Sequence, residues 1–153
     1  MHKALDQPLY FQGTRDTLAY AGVLPGRAGG GIYYFQLAVT RAADTSNLVL
    51  ARVLPDPEAI KVPVFDSAEK SSLANGIAEV RFSYFGRDTD SNALVEPTWR
   101  QEWRDPNVLP LMIRIDVIPE KGAAWPSLVV EPRLAPEVGC RSWDISRNRC
   151  IGL

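Results

Sequence analysis

LANGIAEVRFSYFGRDTDSNALVEPTWRQEWRDPNVLPLMIRIDV, residues Leu73–Val117, decides the fold. In its first half Val80, Phe82 and Tyr84 alternate with Glu79, Arg81 and Ser83, the period of a half-buried strand. In its second half Leu111, Ile113, Ile115 and Val117 point one way while Arg114 and Asp116 point the other. Gly86–Asn92 has turn composition, because aspartate and asparagine bond their own backbone. Thr98–Trp103 reads as a further strand, which would set Trp99 and Trp103 on one face. Strands joined by polar turns of this kind predict antiparallel pairing.

The same grammar extends outward. Ile32–Thr40 carries Tyr33, Phe35, Leu37 and Val39 on one face, and Asn47–Leu54 follows a polar turn at residues 44–46, so the two pair as a hairpin. Pro55 and Pro57 end it, since proline removes a ladder donor. Ile60–Phe65 fits only an edge strand because of Pro63. Ser67–Gly76 reads as a short helical turn closed by glycine, and Trp125–Leu134 as the last long strand, bounded by Pro126 and Pro132. Upstream, Thr14–Tyr20 reads as the tail of a helix, and Gly29-Gly30-Gly31 as a flexible joint. Leu9–Gly13 matches a protease recognition site used to remove expression tags, so residues 1–13 are set aside as a tag remnant. The expected organisation is a tag remnant over 1–13, a helix stub and glycine-rich linker over 14–31, and a β-rich domain over 32–153. The expected fold is mainly β, built of antiparallel sheets.

Composition narrows the function classes. The chain has 153 residues, enough for one ordinary core, and 17 basic against 18 acidic residues for a net charge of −1. Nucleic acid and anionic membrane surfaces call for a concentrated basic face, and none is present in the sequence. No run reaches the ~18 apolar residues of a membrane span. The two cysteines, Cys140 and Cys150, bracket CRSWDISRNRC. Bonded, they close a loop worth roughly 3 kcal/mol by chain entropy and place the domain in an oxidising compartment. Independent thiols and metal ligation are the alternatives, the latter disfavoured because the single histidine, His2, lies at the other end.

No catalytic constellation assembles from the sequence, and no cofactor is expected. Without a further histidine, serine and cysteine dyads lack their base. The pairs Asp88/Asp90 and Asp56/Glu58 sit in turn-like segments, and DTDSN lacks the later glycine and glutamate of a calcium loop. Tyr33, Phe35, Phe82, Tyr84, Trp99 and Trp103 at strand spacing read first as core, and secondarily as a stacking platform for sugars. Trp143, flanked by Arg141, Arg147 and Arg149, has the composition of an interface anchor.

The strand pattern carries a resemblance. LANGIAEVRFSYFG, then the two tryptophans, then LPLMIRIDV, resembles the C-terminal half of the J-type minor pseudopilins of the bacterial type II secretion system; NLVLARV is similar to an earlier strand of that family. The likeness spans roughly Asn47–Val117. It implies a structural, non-enzymatic subunit with a globular domain of two β-sheets in the periplasm. It also implies an N-terminal apolar helix, absent from this chain, that anchors the subunit in the inner membrane. I-type and K-type partners are implied at the pseudopilus tip, where assembly begins and secreted substrate is met. The terminal CRSWDISRNRC departs from that pattern and is closer to the loop of type IV pilins, which makes a type IV minor pilin the alternative. A secreted carbohydrate-binding β-sandwich is the alternative of a different class.

Overall fold

A computed structural model describes residues 10–42, 45–56, 63–87, 96–105, 108–133, 142–144 and 149–151. The expected fold class is what forms: antiparallel sheets, with a single 3-10 turn at Gly26–Ala28 as the helical content of the described residues. The first sheet runs in simple sequence order through β1 (Phe11–Gly13), β2 (Thr17–Val23), β3 (Ile32–Ala42), β4 (Thr45–Val53) and β5 (Glu69–Asn75). The second contains β6 (Ile77–Gly86), β7 (Thr98–Arg100), β8 (Met112–Pro119) and β9 (Leu128–Val130) in the order β7-β6-β8-β9. A separate ribbon pairs β10 (Ser142–Asp144) with β11 (Arg149–Ile151). Gly76, at φ +66, makes the hinge between β5 and β6 where the chain leaves one sheet for the other.

The core lies between the two sheets. Val80, Phe82 and Tyr84 of β6 and Ile113 and Val117 of β8 meet Leu18 of β2 and Phe11 of β1, with Tyr20, Leu37, Val39 and Leu48 completing the layer. Contributors along a strand are an even number of residues apart, as the pleat requires, with the half-buried Ile115 between Ile113 and Val117. The opposite face of the first sheet is not bare either. Ala19 and Ala51 are buried there beneath Phe65, with Tyr10 and Tyr34 in edge-to-face contact 4.9 Å apart.

Four sequence expectations are corrected. Thr17–Val23 is a strand, not the tail of a helix: Leu18 and Tyr20 face the core while Ala19 packs on the reverse face, so burial on both sides erases alternation. Phe11–Gly13 cannot be excluded from the fold, because Phe11 is a core residue and Gly13 pairs with Leu18. Glu69–Asn75 is an edge strand rather than a helical turn; helix-forming glutamate, lysine and alanine yield to pairing with β4. Among the described residues of the strand expected over Trp125–Leu134, only the three-residue β9 is strand. Of the weak strand proposed at Ile60–Phe65, residues 60–62 lie outside the described residues and 63–65 are loop.

Candidate functional site

Two kinds of feature stand out once the chain is folded: a polar seam that fastens the sheets, and an apolar border left open. The seam is built on the turn between β1 and β2. Thr14 shapes it, its Oγ1 accepting from the amides of Asp16 (3.3 Å) and Thr17 (3.1 Å). The turn then reaches into the second sheet. The Phe82 amide donates to the Arg15 carbonyl at 2.8 Å, completing the border of β6 beyond the short β7. The Tyr84 hydroxyl, on a fully buried ring, donates to the Thr14 carbonyl at 2.8 Å with the Thr17 carbonyl 3.2 Å away. Burial pushes the Tyr84 phenol well above the ordinary tyrosine range.

Gly13 and Trp103 exchange both backbone hydrogen bonds, at 2.9 and 2.8 Å, and the Trp103 indole N–H donates to the Val108 carbonyl. The fit leaves no room. A Cβ on Gly13 would fall 2.1 Å from Tyr84 Cζ, and one on Gly86 2.4 Å from Trp103 Cη2. At the solvent end of the seam Glu79 bonds Arg81 (2.8 and 2.9 Å) and Arg15 (2.9 Å). The Arg81 hydrogen bond, with the charges of Arg81 and Arg15, holds the Glu79 carboxyl below its usual range.

The aromatic residues singled out by sequence divide. Phe35, Phe82, Tyr84 and Trp103 are buried, and Tyr33 is half-buried beneath Arg52. Trp99 departs from the core expectation, being 40% exposed. The reason is that β7 stops at Arg100, so Trp99 pairs with Phe85 on the outer face while Trp103 turns inward at Gly13. Arg114 lies over the Trp99 ring at 4.8 Å. These rings are thus dispersed between the core and two separate surfaces, not gathered into one stacking platform.

Of the proposed C-terminal contact loop, Cys140, Arg141 and Arg147 lie outside the described residues. Trp143 lies on β10 and Arg149 and Cys150 on β11, with the backbone register Trp143↔Cys150 and Asp144↔Arg149. The acidic residues Asp88, Asp90 and Glu58 also lie outside the described residues. Sequence reading missed the seam, since nothing in Thr14 or Gly13 marks a partner so distant. It also missed the open border at β9, although the apolar Leu128-Val129-Val130 between two prolines was a visible signal.

Among the described residues no group of histidine, cysteine and carboxylate side chains is placed to hold a metal, and no helix is long and apolar enough to cross a membrane. What the geometry defines is a two-sheet β domain in which Thr14, Tyr84, Gly13 and Trp103 fasten one sheet to the other.

The chain is a homologue of the type II secretion system protein J of Xanthomonas campestris pv. campestris, 31% identical over 125 residues. That match covers 81% of this chain and 57% of the relative, so the chain spans a little over half the length of the curated protein it matches. The resemblance, read over roughly Asn47–Val117, is borne out by this homology. No family model matches the chain, and no solved structure matches it.

Proposed function

We propose that this chain is the periplasmic β-domain of a J-type minor pseudopilin, a structural and non-enzymatic subunit of the type II secretion system. The observation that carries the reading is the homology to a type II secretion protein J across four-fifths of the chain. The two-sheet domain supports it, because the Tyr84, Thr14 and Trp103 hydrogen bonds serve packing and leave outward surfaces for neighbours. In this reading an apolar helix upstream of the domain anchors the subunit in the inner membrane. The domain joins I-type and K-type subunits at the pseudopilus tip, where assembly starts and exported protein is engaged. The C-terminal segment, with a Cys140–Cys150 bridge and Arg141, Trp143, Arg147 and Arg149, is proposed as one contact surface.

The test is co-purification with the I-type and K-type subunits encoded beside it. A ternary complex is expected, with Trp143→Ala weakening it and leaving the circular dichroism spectrum of the domain unchanged. In the parent bacterium, deletion of the gene should stop export of secreted enzymes while surface pili still form. Loss of pili with export intact would overturn the secretion reading in favour of a type IV minor pilin.

A further inference from the structure

The two sheets end in four borders, and three are capped, polar or very short. β1 is capped at Gly13, which exchanges both backbone hydrogen bonds with Trp103. β5 opens with Glu69 and Lys70 and continues through Ser71 and Ser72, a charged and polar rim of the kind that repels stray strands. β7 is three residues long and ends in Arg100. The fourth, β9, has β8 on one side and no strand on the other among the described residues. Its residues Leu128, Val129 and Val130 are 55, 49 and 37% exposed, uncharged, and apolar on both faces. Such a border presents unpaired backbone donors and acceptors between side chains that favour leaving water, which is a template for another strand.

The flanking sequence says which strand. Residues 125–133 read Trp-Pro-Ser-Leu-Val-Val-Glu-Pro-Arg, with Pro126 and Pro132 equidistant from Val129. Consider an antiparallel pairing of β9 with itself about a two-fold axis through Val129. Val129 then meets Val129, Leu128 meets Val130, and Pro126 meets Pro132, so both donor-less residues fall together just outside the ladder. Glu131 meets Ser127 rather than another acid. Arg133 meets the half-exposed Trp125, a cation beside a ring. No like charges oppose one another, and any other register with the same two-fold symmetry brings a proline or a charge against the apolar ladder.

From this self-complementarity we infer that β9 is a docking edge for a second copy of this chain, joining two second sheets into one continuous sheet across a two-fold axis. The inference rests on the border and its flanks, and is independent of the secretion reading. The contact is short, so it is a weak, transient interface.

Analytical ultracentrifugation of this chain over micromolar to millimolar concentration should show a reversible monomer–dimer equilibrium. Val129→Lys, which sets two like charges opposite each other, should raise the dissociation constant by about tenfold or more. Leu73→Lys, at an equally exposed site on β5, should leave it unchanged. Independently of affinity, Val129→Cys should give an oxidised dimer whose mass-mapped linkage joins position 129 to position 129, because directly opposed strand residues lie within disulfide reach. Leu73→Cys should not cross-link in this way. A chain that stays monomeric throughout, a dimer insensitive to Val129→Lys, or cross-linking equal at the two positions would each overturn the inference, the second by placing the contact on another surface.

Discussion

Trp99 and Trp103 belong to one short segment and meet opposite fates. Trp103 is 4% exposed, locked to Gly13 by two backbone bonds and capped by the Val108 carbonyl. Trp99 is 40% exposed, resting on Phe85 with Arg114 over its outer face. Strand spacing alone would have put both on one side. What separates them is the partner each finds: Trp99 sits in the middle of a three-residue ladder with β6, whereas Trp103 pairs across to the other sheet. Buried indole area and a satisfied N–H make one a keystone, and exposure makes the other dispensable to the fold.

The largest effects should therefore come from this pair. Trp103→Ala is expected to cost about 3–5 kcal/mol of unfolding free energy, against about 1 kcal/mol or less for Trp99→Ala. Urea titration of the two variants measures both, and equal losses would break the comparison. Next come the glycines that admit the keystone. Gly13→Ala and Gly86→Ala each drive a methyl into an aromatic ring and should cost about 1–3 kcal/mol or more. Gly26, where an added Cβ meets nothing within 4 Å, supplies the contrast: its alanine variant should unfold at nearly the parent midpoint.

Tyr84→Phe is a smaller perturbation, about 1–2 kcal/mol for the lost hydrogen bond and the carbonyls left behind. It carries a pH signature as well. Because the folded state raises the phenol pKa, this contribution is complete below the ordinary tyrosine pKa of ~10 and is lost as pH rises beyond it. Alkaline denaturation should be shallower in Tyr84→Phe than in the parent; identical slopes would mean the hydroxyl does not titrate with unfolding. The smallest effect is at Glu79, whose carboxyl is held low by Arg81 and Arg15. A depressed acid stabilises at neutral pH and loses that contribution as pH falls through its folded pKa. Glu79→Gln should flatten the acid limb of stability slightly, an effect that salt diminishes in the parent.

The strands β6 and β8, which alternate cleanly, were legible in the sequence, as were β3 and β4, where aromatic and β-branched residues signal a strand even though Ala51 of β4 is buried on the reverse face. β2 was not, because Ala19 is buried under Phe65 on the face opposite Leu18 and no alternation survives. β5 was not, because a polar border strand shares its composition with a helix surface; its pairing with Leu48 and Leu50 outweighs propensity. The aromatic core was legible at Phe82 and Tyr84, where neighbours along the strand set the face. It was not at Trp99, where the face depends on a ladder ending three residues in. The fastening of Tyr84 to Thr14 was out of reach, since a backbone carbonyl leaves no trace in residue type.

That fastening also has a consequence for how the molecule comes into being. Thr14 and Tyr84 are 70 positions apart, and Gly13 waits still longer for Trp103. A chain emerging amino end first, from a ribosome or through a translocation pore, must hold Phe11 and Leu18 uncovered until most of its length has followed. Long-range closure of this sort is slow, and half-emerged forms have bare apolar strands. Maturation is accordingly close to all-or-none, and chaperone attendance matters most in the interval before the tryptophan arrives.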